Sequence, residues 1–143
     1  MLVAYGRRET LCLGAAFSLA TREKSQMTYI DAFVLSVPKD KLDVYRSTLS
    51  ASWELWKEFG ATSYVEASGD DVPYGKLTSF PRAVQAQEHE IVVLSWVTYP
   101  SRAVRDEASK KARSDPRMIA LMEKLPVDGD RMIIGGFETM LER

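Results

Sequence analysis

Apolar and polar positions change rhythm along this chain, and each change marks an element. Residues 29–37, YIDAFVLSV, are rich in β-branched and aromatic side chains and stop at Pro38, which predicts a strand. Pro38 suits the first turn of a helix, where its missing N–H costs nothing, and Asp40 and Asp43 suit the positive helix end. Leu42, Tyr45, Leu49, Trp53, Trp56 and Phe59 then recur every three or four residues and draw one apolar stripe, with Gly60 as the C-cap. Residues 62–68, TSYVEAS, predict a second short strand. Residues 70–90, broken by Pro73, Gly75 and Pro81, show little periodicity and predict a long loop.

The clearest strand is 91–99, IVVLSWVTY, apolar at nearly every position and so expected to be covered on both faces. Ser101 opens a second long helix as N-cap, with Val104, Ala108 and Ala112 inward; Asp115-Pro116 opens a short third. Residues 131–141, RMIIGGFETML, predict the last strand, where Gly135-Gly136 mark a bulge or a close backbone approach. This order is an α+β fold of the ferredoxin-like kind, βαββαβ, with a four-stranded antiparallel sheet and helices on one face. The other face needs a cover that no helix is left to supply. A second copy of the chain, in a two-fold homodimer, is the simplest one.

The first 26 residues read differently. Arg7 and Arg8 precede a short apolar stretch, 11–20, that ends in Ser18-Leu19-Ala20, a weak outline of a signal peptide. A strand begins at once after Met27, so a misplaced gene start or a loose tail fits 1–26 better than a working signal. The expected division is an N-terminal extension, 1–26, and one domain, 27–143.

Bulk numbers narrow the function classes. At 143 residues the chain is long enough for a self-sufficient core, and a net charge of −1 without a basic stripe argues against nucleic acid. No apolar run approaches the ~20 residues of a membrane helix. Cys12 is the single cysteine and His89 the single histidine, so neither a disulfide framework nor a multi-His metal site is expected, and no motif calls for a cofactor.

Candidate chemistry is sparse. Asp31, Glu66 and Glu138 are carboxylates inside predicted strands, and Asp31 shares the face of Tyr29, Phe33 and Leu35. It either lines an interior cavity or pairs with an arginine. The loop GDDVPYGKLTSFPRAV carries Lys76 and Arg82 between the anchors Tyr74 and Phe80. Those two cations suit a carboxylate or phosphate on a small ligand, or the loop simply covers a sheet edge. The phosphate-loop pattern is absent, and His89, between two glutamates, has no nucleophile in a motif beside it. Trp96 is a ligand platform or plain core.

Four stretches together carry a family likeness: MTYIDAFVLSVPKDKLDVYR, GDDVPYGKLTSFPRAV, IVVLSWVTYPSRAVRD and DGDRMIIGGFE. In this order they resemble the YbaA-like family of bacterial proteins, catalogued as domain of unknown function 1428, over essentially all of 27–143. The resemblance implies a dimeric α/β barrel related in shape to small cofactor-free monooxygenases and stress-response barrels, in the cytoplasm. It implies no established activity. The competing functions are a small-molecule site in the barrel interior, its enzymatic form a cofactor-free monooxygenase-like enzyme with a base such as Asp31, and a non-enzymatic stress-related or interaction module. Asp31, Glu66, Lys76, Arg82 and Trp96 are the candidate ligand contacts, with no metal, no nucleic acid and no membrane.

Overall fold

The computed structural model describes residues 27–143, so the division at residue 26 lies outside the described residues on its N-terminal side. Four strands, β1 (Tyr29–Pro38), β2 (Ser63–Ser68), β3 (Glu90–Tyr99) and β4 (Ile133–Glu138), form one antiparallel sheet in the order β2-β3-β1-β4. Helices α1 (Leu42–Phe59), α3 (Arg102–Ser114) and α4 (Pro116–Met122) belong to the two crossovers, and a single turn, α2 (Phe80–Ala83), interrupts the long loop. This is the ferredoxin-like α+β arrangement.

Register decides what each face holds. Leu35 stands opposite Val93, Asp31 opposite Val97 and Gly136, and Tyr64 opposite Val97. Directly opposed residues share a face, so the odd positions of β1 and β3 and the even positions of β2 and β4 look toward the helices. Leu35, Val37 and Val93 there pack with Tyr45 and Leu49 of α1. Val97 and Tyr99 pack with Leu55, Phe59, Ala108 and Met118. Each such side chain taken from water contributes about 1.5–3 kcal/mol, so the amphipathic stripe of α1 outweighs any weakness in its caps.

Local chemistry sets the ends of the helices. Gly60 adopts φ 116°, and the N–H of Ala61 reaches the Trp56 carbonyl at 2.9 Å, closing α1. Ser101 Oγ accepts from the N–H of Val104, and Asp115 Oδ1 from that of Arg117 at 2.8 Å. The start of α1 corrects the sequence expectation. Pro38 stays in β1, paired with Glu90, and a 3₁₀ turn at Lys39–Lys41 intervenes before Leu42. Similarly, β4 runs only over Ile133–Glu138, and Gly135-Gly136 form no bulge. Their register with Ala32 and Asp31 is unbroken, and the close approach is the reading that holds: a Cβ on Gly136 would collide with the ends of Arg105 and Tyr29.

One ion pair ties the end of the long loop to the entry of β4. Arg131 grips both carboxylate oxygens of Glu90, at 2.7 and 2.8 Å, and also donates to Asp128 and to the Gln85 carbonyl. These hydrogen bonds hold the Glu90 carboxyl down at about 2, against an ordinary 4.5. A depressed folded-state pKa contributes stability that is present above the ordinary value and lost as pH falls toward the folded one. The stability gap between the native chain and Glu90→Gln should therefore be full at pH 6 and shrink between pH 4.5 and about 2. Urea titrations across that range measure it, and a gap independent of pH would count against the pair.

Candidate functional site

The helix-side packing leaves a chamber of about 110 Å³ between sheet and helices. Phe33, Leu35, Ser95 and Val97 make its floor, and Tyr45, Leu49 and Trp56 of α1 its roof. Met122, Leu125, Val127 and Met132, from the end of α4 and the segment after it, close the remaining side. The shape follows from chain order. α1 crosses from β1 to the edge strand β2, while the segment after α4 returns to β4 on the opposite edge. Flexible methionines and branched side chains fill the space between them incompletely.

The single carboxylate on this lining is that of Glu66 on β2. Tyr45 Oη donates to Glu66 Oε2 at 2.9 Å, and Ser95 Oγ donates to Oε1 at 2.7 Å. Tyr64, two residues before Glu66 on the same face of β2, lines the same chamber. Burial, and then the charge of Glu66, push both phenols far above the ordinary tyrosine range, so they stay protonated as donors. Because β2 is an edge strand, Glu66 also meets solvent. Outer clefts of about 560 and 300 Å³ share Tyr45, Arg46 and Glu66. Glu66 therefore stands where a dry chamber meets a wet groove.

The other sequence candidates sit elsewhere. Asp31 does share the face of Phe33 and Leu35, but farther along β1, under α3. There Arg105 Nε lies 3.4 Å from Asp31 Oδ1, and another guanidinium nitrogen donates to the Tyr29 hydroxyl at 2.7 Å. Trp96 projects from the opposite, uncovered face, beside Ala32 and Val65. Lys76 is exposed in the long loop. Arg82 donates to the Gly75 carbonyl at 2.9 Å and stacks over Tyr74, which braces the loop on itself. That loop follows the uncovered face, where Phe80 shares a cleft with Val92 and Leu94.

Sequence reasoning named Glu66 but not its two hydrogen-bond partners. Tyr45 read as one more member of the apolar stripe of α1. Ser95 carried a usable signal, a small hydroxyl between Val93 and Val97 on the core face of β3. A buried hydroxyl there needs a partner. Among the described residues, no three His, Cys, Asp or Glu side chains gather around one metal position.

Known proteins extend the picture. Residues 28–129 match the family model described as "Protein of unknown function (DUF1428)". The "Uncharacterized protein YbaA" of Escherichia coli (strain K12) is 52% identical over 116 residues, covering 81% of this chain and 99% of that protein. The protein of the same description from Shigella flexneri matches equally. A crystal structure described as a dimeric ferredoxin-like protein from an uncultured marine organism superposes with a TM-score of 0.52 at 7% identity, covering 82% of this chain and 99% of that one. Another, a dimeric ferredoxin-like protein of unknown function from Jannaschia sp. CCS1, gives 0.50 at 14% identity, over 78% and 99%. At such identities the likeness is one of fold.

Proposed function

We propose, for a chain that belongs to the DUF1428 family of proteins of unknown function, a homodimer in which each protomer holds a small, mostly apolar molecule in the chamber beside Glu66. The observation that carries the ligand half is the pairing of an unfilled apolar space with one carboxylate at its mouth. A small ligand site is typically an apolar concavity with few, placed polar groups. Under this reading Glu66 is a ligand contact, whereas Asp31 anchors α3 to the sheet and Trp96 belongs to the dimer face. Lys76 and Arg82 belong to a loop that edges the same face. The proposed place of work is the cytoplasm; among the described residues no helix is long and apolar enough to cross a membrane.

The dimer half rests on the uncovered sheet face. Ile30, Ala32, Val34, Val65, Leu94, Trp96, Ile133 and Phe137 share it, and no charged side chain interrupts the strand positions between them. Leu94, Ile133 and Phe137 are 37%, 44% and 57% exposed in the single protomer. A continuous apolar patch of this kind marks an interaction surface, and a self-complementary two-fold contact is the commonest solution. The two crystal structures of this fold described as dimeric support the choice of a second copy. Sedimentation equilibrium of the full chain at micromolar concentration should give twice the monomer mass, and a clean monomer would overturn it.

Methyl-resolved NMR tests the chamber. Toluene should shift the methyl signals of Leu49, Met122, Leu125 and Met132. Shifts confined to Leu94 and Ile133, or none, would remove the chamber from consideration.

A further inference from the structure

Hydrogen counting at Glu66 restricts what the chamber can take. A serine or tyrosine hydroxyl carries one hydrogen, and an ionised carboxylate carries none. Tyr45 has given its hydrogen to Oε2 and Ser95 has given its own to Oε1. Tyr64 stands beside them on the same face of β2. What Glu66 and its two donors still offer is lone pairs: the spare ones on the carboxylate and those on the two donating hydroxyls. Apart from Tyr64, the other lining side chain with a donor, Trp56, lies three turns farther along α1, about 16 Å from Tyr45 at the helical rise.

We infer that the chamber selects ligands by a hydrogen-bond donor: a single ring or short branched body bearing a hydroxyl or ammonium, with carboxylates and other acceptor-only anions refused. This rests on the chamber being the ligand site, as proposed above. Size and chemistry agree. A cavity of about 150 Å³ accommodates benzene in another protein, so 110 Å³ suits a body near one small ring. The head group then sits in the gap at Glu66, open toward the outer clefts, where an ammonium keeps part of its hydration. A carboxylate placed there would meet the negative charge of Glu66 and two hydroxyls whose hydrogens are already given to it. The same count leaves no donor pair for a developing oxyanion, so acyl transfer is a poor match for this corner.

Three ring compounds of similar size separate the cases: phenol, benzylamine and benzoate, titrated into the full-length chain and followed through the methyl signals of Leu49, Met122 and Leu125. Phenol and benzylamine should bind, and benzoate should bind at least about tenfold more weakly. Glu66→Gln keeps the shape and supplies an N–H. It should weaken benzylamine by about tenfold or more and bring benzoate level with phenol. Benzoate binding as well as phenol to the native chain overturns the donor rule while leaving the chamber reading intact. No binding by any of the three, with the methyl signals silent to toluene too, overturns both. The ranking on the native chain decides the matter even if Glu66→Gln fails to fold, and unchanged preferences in a folded Glu66→Gln count against the rule.

Discussion

Replacing Arg105 by Met is expected to cost about 2–3 kcal/mol, and to lower the melting temperature by roughly 8 °C or more. Removing one partner of a fully buried ion pair costs about 3–5 kcal/mol; the smaller figure allows for the partial exposure of the Arg105 side chain, 22%. Asp31, only 12% exposed in its side chain, would keep its charge and lose the cation 3.4 Å away. The variant also gives up the hydrogen bond to Tyr29 and the stacking of the guanidinium on that ring at 4.7 Å. Asp31→Asn should behave differently, holding or raising stability at neutral pH. Burial raises the Asp31 carboxyl above its ordinary range, and the attraction of Arg105 only partly offsets this. A raised carboxyl pKa means that stability is fullest below the ordinary value of 3.8 and is lost as pH rises through the folded value. The deficit of Arg105→Met should accordingly shrink on acidification, as the orphaned carboxyl takes up a proton. Chemical denaturation of both variants at pH 7 and pH 4 measures this. A deficit that grows toward acid, or an Asp31→Asn as damaged as Arg105→Met, would show that the pair stabilises by attraction more than it costs by burial.

Leu94→Arg is expected to turn the proposed dimer into a folded monomer. Leu94 sits on the uncovered face between Val34 and Ala67, on β3, one of the two inner strands. A guanidinium buried in the proposed interface there would have no counter-ion from its own sheet, since the adjoining strand positions carry no acid. A penalty of about 4 kcal/mol raises the dissociation constant roughly a thousandfold. Within the protomer Leu94 is 37% exposed, so the substitution leaves the helix-side core untouched and the secondary structure should persist. Sedimentation velocity with far-ultraviolet dichroism tests both statements. A Leu94→Arg chain that remains dimeric would move the contact to the helices.

Particular residues show what could be read in advance. The stripe from Leu42 to Phe59 made α1 legible, because a helical period repeats within one turn and each repeat reinforces the last. The cap-and-proline pairs at Ser101 and Asp115 were legible for a similar reason: the cap bonds reach only two or three residues. Pro38 misled because the same fixed φ serves a strand end as well as a helix start, and its pairing with Glu90 decides between them. The last strand was drawn too long because Met132 and Met140 continue its apolar run, although pairing with β1 ends at Ile133 and Glu138.

Asp31 and Glu66 are the sharpest contrast. In the sequence both are single carboxylates in short apolar strands, and nothing nearby separates them. The order of elements and the face of each residue follow from periodicities of two and 3.6, which the chain carries in itself. The sequence alone therefore determined that the fold is a helix-backed antiparallel sheet, and that one side of the sheet would be apolar and uncovered. Which carboxylate meets a cation and which meets two hydroxyls was decided only by the tertiary structure. Arg105 reaches Asp31 from a helix that returns after β3, and Tyr45 and Ser95 reach Glu66 from elements on either side of it in the chain. Hydrogen bonds and ion pairs act over a few ångströms, so their partners are chosen when distant segments pack, and local pattern holds no record of that choice.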